Sequence, residues 1–172
     1  MTTEDRDHLI SHLRESREVW LASLQGAANI TQRPAENRWS VLEIAEHVAT
    51  VENRLTHVIR NAPAGDPPVQ ADATREEYFA RALANRTERF NAPEVVQPTG
   101  KIQSLEEAIA SFEAGRAAII EHVGAGANLR ETTAKHLRFG VVSAYEMTLI
   151  MSSHVKRHAE QVAETRRVTD RL

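Results

Sequence analysis

Residues 143–166 read SAYEMTLIMSSHVKRHAEQVAETR. The stretch holds no proline or glycine, and it opens on a capping box. The Ser143 hydroxyl takes the Glu146 N–H and the Glu146 carboxylate returns to the Ser143 N–H, with Val142 and Met147 as the staple pair. At about 100° per residue, Met147, Ile150, Met151, His154, His158, Gln161 and Val162 share one face. Leu or Ile would pack that face better than two imidazoles. Residues four apart on a helix stand one above the other, so His154 and His158 can both reach a single ion. First-row ions of the zinc type accept imidazole nitrogen. The alternative is a solvated pair on a charged helix, but Lys156, Arg157, Glu160 and Glu164 project to other sides.

The prolines punctuate the rest of the chain. All six fall in three stretches: Pro34; Pro63, Pro67 and Pro68; Pro93 and Pro98. Between them the periodicity is helical and alternating β-branched runs are essentially absent, which predicts an all-α chain. The first helix is expected over residues 4–28, with Leu9, Leu13, Trp20 and Leu24 on one face. The second begins at Ser40, where Glu43 closes a capping box and Trp39 and Ile44 form a staple. Ile44, Val48, Val51, Leu55 and Val58 make its apolar face, and it ends near Asn61. Residues 62–73 read as a Pro-rich loop. Thr74 with Glu77 predicts the start of a short helix that carries Phe79, Leu83 and Phe90 and ends near Asn91. Residues 92–103 form a surface excursion of the kind that covers binding sites. Ser104 with Glu107 opens the third long helix, whose apolar face holds Leu105, Ala108, Ile109, Phe112, Ile119 and Val123; Gly124 and Gly126 stop it. Residues 125–142 are a second long connection. The expectation is one domain over residues 1–172, a four-helix bundle with a short extra helix between the second and third helices. Up-down-down-up connectivity suits the long crossover, although periodicity leaves it undecided.

Composition narrows the function. The chain has 172 residues, 41% apolar and 26% charged, with a net charge of -3. No basic patch supports nucleic acid or an anionic membrane as a partner. No apolar run approaches the ~20 residues of a membrane span. The first residues, MTTEDRD, show no apolar signal segment, so a cytoplasmic protein is expected. The absence of cysteine rules out disulfides, thiolate nucleophiles and Cys-based zinc sites, leaving His, Asp, Glu and water to hold any metal.

A third ligand is needed beside His154 and His158, and His47 is the other histidine close to an apolar helical face. It lies about 60° from Ile44 on the second helix. His57 is on the far side of that helix, His122 at the edge of the third, and His136 in a connection. His8 and His12 repeat the four-residue spacing but sit in the first turns of the chain, where a surface role is expected. Val155 occupies the place of the Glu in HExxH, so a zincin mechanism has no support. Three imidazoles without a fixed carboxylate leave a coordination position open for water or substrate. Arg116, in the middle of the third helix's apolar stripe, either holds an anionic group or is a paired structural residue. Gln161 faces with the two histidines. The wheel positions of Glu46 and Glu52 do not favour a place behind the ligands.

The run Trp39-Ser40-Val41-Leu42-Glu43-Ile44-Ala45-Glu46-His47 resembles the W-S-x-x-E-x-x-x-H signature of the DinB/YfiT-like superfamily. His154-x-x-x-His158-x-x-Gln161 resembles its C-terminal H-x-x-x-H-x-x-Q. The resemblance covers essentially the whole chain and implies a four-helix bundle in which His47, His154 and His158 hold a divalent metal, zinc or nickel. It also implies a homodimer and a small-molecule substrate. Some members of the family are described as metal-dependent hydrolases, related members transfer low-molecular-weight thiols such as bacillithiol or act in mycothiol-dependent isomerisation, and many have no assigned reaction. The contrasting expectation is a non-catalytic binding or dimerisation bundle with a structural or vestigial metal site. A shared fold carries over more readily than a reaction.

Overall fold

The computed structural model describes residues 1–66, 68–83, 86 and 90–171. Its elements are α1 (Thr3–Leu24), α2 (Val41–Arg60), α3 (Ala73–Ala82), α4 (Leu105–Gly124), β1 (Thr133–His136), β2 (Gly140–Ser143) and α5 (Ala144–Thr169), with a 3₁₀ turn at Glu94–Val96. Helix starts follow local chemistry. Complete capping boxes open α2 at Ser40 and Glu43 and α5 at Ser143 and Glu146, as the sequence predicts. A further box, Thr2 with Asp5, opens α1. At α4 the box is half formed: Ser104 Oγ accepts the Glu107 N–H, but the Glu107 carboxylate takes the N–H of Gln103. The cap of α3 is Asp72 rather than Thr74, because the Asp72 carboxylate reaches the Arg75 N–H first.

Two helix ends differ from expectation. α1 stops at Leu24 instead of running to residue 28. α3 stops at Ala82, well before Asn91; of the remainder, residues 84, 85 and 87–89 lie outside the described residues. The connection over residues 125–142 also holds more order than expected. β1 and β2 pair antiparallel, Thr133 opposite Ser143 and His136 opposite Gly140. Strands of four residues, TAKH and GVVS, are too short to show alternation in sequence. The fold is otherwise helical, a four-helix bundle with this small hairpin attached.

The bundle has a particular wiring. α1 packs against α4 and α5, and α2 packs against the same two helices. α1 and α2 therefore stand at opposite corners, as do α4 and α5, while α2 and α4 are neighbours. Leu9, Leu13, Ile59, Ile119, Val123, Met147 and Ile150 gather in one core cluster, while Trp20, Leu24, Val41, Ile44, Ala108, Phe112, Ala159 and Val162 gather in another. The start of α1 and of α5 thus meets the end of α2 and of α4, which is up-down-down-up.

A charged pair crosses the bundle interior. Arg116 on α4 donates through Nε and Nη2 to both oxygens of Glu52 on α2, at 2.6 and 2.9 Å, and through Nη1 to Ser16 Oγ at 2.7 Å and to the Leu13 carbonyl. Its alternatives are thereby decided: it is the paired residue.

α5 is the most deeply placed helix. Every residue from 144 to 153 is buried, because α1, α2, α3 and the hairpin all pack on it. The Thr and Ser hydroxyls in this stretch are satisfied locally: Thr148, Ser152 and Ser153 donate to the carbonyls of Ala144, Thr148 and Ile150. Among the described residues no helix is long and apolar enough to cross a membrane.

Candidate metal centre

The capped start of α2 fixes the phase of that helix, and His47 follows seven positions after Ser40. It points toward α5, where His154 and His158 occupy successive turns. His154 Nε2 lies 3.2 Å from His47 Nε2 and 3.1 Å from His158 Nε2. An ion bound at ~2.0–2.1 Å, with ligand angles of about 90–109°, sets its ligand atoms about 2.9–3.4 Å apart. Among the described residues this is the one group of three His, Asp or Glu side chains whose ligand atoms converge within 4.8 Å.

The other ring nitrogens decide the protonation pattern. His47 Nδ1 is 2.7 Å from the Val96 carbonyl oxygen. A carbonyl only accepts, so Nδ1 carries the proton and Nε2 presents its lone pair. His158 Nδ1 donates to Gln161 Oε1 at 2.8 Å, so its Nε2 is likewise a lone pair. His154 Nε2 thus faces two acceptors, and one proton on it serves only one of the two contacts. In neutral rings the other contact sets lone pair against lone pair. A cation at the centre removes that conflict, so the donor set fits a metal ion.

The electrostatics agree. Burial pushes the pKa of His47 down, against the opposing effect of the Val96 hydrogen bond. Burial pushes His154 and His158 well down, and the neighbouring imidazoles add to it. All three rings are held neutral, as metal ligands must be. His47 is also packed beneath Trp39, the staple residue of its own helix, with ring centroids 4.9 Å apart.

Carboxylates near the site are committed elsewhere. Glu52 is paired with Arg116. Glu164 takes a two-pronged contact from Arg86, at 2.9 and 2.7 Å. Glu46 is buried against the loop of residues 97–101. Burial raises its carboxyl pKa, but hydrogen bonds from Thr99, Gly100 and Lys101 outweigh that and hold it below the ordinary range.

A family model described as the DinB superfamily matches residues 9–162. The chain belongs to the DinB superfamily. Two solved structures are similar to it. TT2238, described as a four-helix bundle protein, has a TM-score of 0.61 at 24% identity, over 92% of this chain and 98% of its own. YfiT from Bacillus subtilis, described as a probable metal-dependent hydrolase with an unusual four-helix bundle topology, has a TM-score of 0.62 at 10% identity, over 97% of this chain and 89% of its own. At these identities the likeness establishes the fold. No curated protein matches the chain.

The remaining histidines of this DinB chain are not part of the triad, and among them His136 lies near enough to add to the depression of His154. His57 is exposed and His122 is half-buried on α4. His136 sits on β1 and stacks on Phe139, with ring centroids 4.8 Å apart. His8 is exposed and His12 half-buried, their rings 4.5 Å apart. Of the two supports behind the histidines, sequence reasoning placed Gln161 on the right face without its acceptor role and missed the Val96 carbonyl. Gln161 had a usable signal, since a side chain three residues after a helical histidine can reach its ring. The Val96 carbonyl had none, because any residue supplies a backbone oxygen.

Proposed function

We propose that His47, His154 and His158 bind a divalent first-row ion, zinc or nickel, through their Nε2 atoms, and that the protein is a metal-dependent enzyme acting on a small molecule. The observation that carries this reading is the convergence of three Nε2 atoms, two of them held as lone pairs by Nδ1–H donation to Val96 and Gln161. When bound, such an ion supplies Lewis acidity at a coordination position the three imidazoles leave free. The protein's own residues keep the rings neutral by burial, orient two of them, and screen the His47 side with Trp39 and the loop at Val96. None of Glu46, Glu52 and Glu164 is free to carry a proton, so a reaction that needs little more than an activated nucleophile suits the site. Hydrolysis and transfer of a low-molecular-weight thiol both meet that requirement, and YfiT's description favours the first.

Metal analysis of protein purified without an affinity tag tests the reading. The expected result is one first-row ion per chain, lost in His47→Ala and in His154→Ala. Metal-free protein whose stability is unaltered in both variants would return the chain to a non-catalytic bundle. A panel of esters and amides set against thiol-conjugation substrates then separates hydrolase from transferase.

A further inference from the structure

Residues 93–101 pass over α2 at the metal centre, yet Val96 is the only buried residue among them. Apolar burial therefore does little to hold this strap. Its attachments are polar and fall on two consecutive residues of α2. His47 Nδ1 donates to the Val96 carbonyl at 2.7 Å. Glu46, 4% exposed, collects the rest. Its Oε1 accepts from Thr99 N at 3.0 Å, Thr99 Oγ1 at 2.8 Å and Lys101 N at 3.2 Å, and its Oε2 accepts from Gly100 N at 2.9 Å. Alternating right- and left-handed residues are one backbone arrangement that turns consecutive N–H groups toward one carboxylate. Gly100 supplies the left-handed residue, at φ +73°. No atom lies within 4 Å of where a Cβ would stand there, so the backbone conformation and not crowding is what requires glycine.

We infer that Glu46 is a positioning residue of the metal centre: by gathering the backbone of Thr99, Gly100 and Lys101 it holds the strap on α2 and keeps the Val96 carbonyl against His47 Nδ1. The Val96 contact selects the tautomer that leaves His47 Nε2 free to bind. The strap is thus placed by one residue and read by the next. Coupling between two such events is reciprocal, so an ion on His47 also tightens the strap. The inference rests on the proposed metal site.

The test uses zinc and tag-free wild-type, Glu46→Gln and Gly100→Ala proteins. Zinc affinity is measured by competition with a chromophoric chelator, and amide exchange is followed at residues 97–101 with and without zinc. Glu46→Gln sets an NH₂ against N–H donors and is expected to weaken zinc binding ~10–100-fold, the usual effect of losing a partner behind a ligand. It is also expected to give a mixed His47 tautomer in ¹⁵N spectra while helix content is unchanged. Gly100→Ala is expected to weaken binding in the same direction by a smaller factor. In the wild type, zinc is expected to slow exchange at Thr99, Gly100 and Lys101. Wild-type affinity retained within twofold by Glu46→Gln, or strap exchange indifferent to zinc, would overturn the inference while leaving the metal site standing. Wild-type protein that binds no zinc would overturn the metal site itself, and this inference with it. Should Glu46→Gln fail to fold, Gly100→Ala and the wild-type exchange decide.

Discussion

Replacing Gln161 by leucine isolates the hydrogen bond behind one ligand. His158 is 7% exposed, and its Nδ1–H donates to Gln161 Oε1 at 2.8 Å. A buried N–H deprived of its acceptor costs about 1–3 kcal/mol. The metal-free protein has an escape: His158 moves its proton to Nε2 and donates to His154 Nε2, 3.1 Å away. With an ion bound that escape is closed, because Nε2 must stay a lone pair. The penalty therefore falls on the bound state and appears in affinity. Gln161→Leu should weaken zinc binding ~10–100-fold, which is about 1.4–2.7 kcal/mol and agrees with the hydrogen-bond figure. Gln161→Glu should do the opposite, holding or tightening affinity, because a carboxylate is the stronger acceptor and makes the imidazole more basic. Arg86 Nη1, 3.5 Å from Gln161 Oε1, would face the added charge. Chelator competition near neutral pH measures both variants. Affinities within twofold of wild type for both, or Gln161→Glu binding more weakly than Gln161→Leu, would refute the reasoning.

Arg116→Met leaves the fully buried Glu52 without its cation and should cost about 3–5 kcal/mol in urea unfolding, most of it recovered in the Arg116→Met/Glu52→Leu double variant. A Cβ on Gly115 would stand 2.9 Å from Asn53 Oδ1 and 3.1 Å from Glu52 Cγ. Gly115→Ala should therefore destabilise the α2–α4 contact by about 1–3 kcal/mol. Gly124→Ala, with nothing within 4 Å of its Cβ position, should be neutral or mildly stabilising, both glycine variants being measured by the same urea unfolding. The pH dependence follows from the depressed imidazoles of His47, His154 and His158. As pH falls below about 6.5 the unfolded chain takes up protons before the folded one does. The stability present above that pH is then lost progressively toward the folded pKa values. Protons compete with the ion for the same nitrogens, so metal should leave in the same window; full retention at about pH 4 would count against a three-histidine site.

Where local chemistry and long periodicity agreed, the sequence was sufficient. The boxes at Ser40 and Ser143 locate α2 and α5, and with them the phase that turns His47, His154 and His158 toward one another. Short or non-periodic features were hidden. The β1–β2 hairpin has too few residues for alternation to register, and α3 starts on Asp72 because a nearer cap competes with Thr74. Glu46 stays off the ligand rings, as its wheel position predicts, but its hold on Thr99, Gly100 and Lys101 was hidden for a different reason. A helical wheel asks which residues face the bundle, whereas Glu46 faces a loop whose position no wheel includes. Gln161 was noticed, but its acceptor role depends on the imidazole rotamer, which sequence does not specify.

The diagonal placement of α1 and α2, and of α4 and α5, has a kinetic consequence. In an ordinary up-down bundle each helix docks on the one just made, and short-range contacts stabilise early intermediates. Here α1 must wait for α4 or α5, and α2 for the same two. The chain bears the entropy of closing long loops before any interhelical contact forms, which slows folding relative to helical proteins of local topology. His47 and His154 are separated by 107 positions, so their meeting comes only once α2 and α5 have docked. An ion added during refolding should accordingly leave the folding rate nearly unchanged and slow unfolding instead, the signature of an interaction made after the transition state.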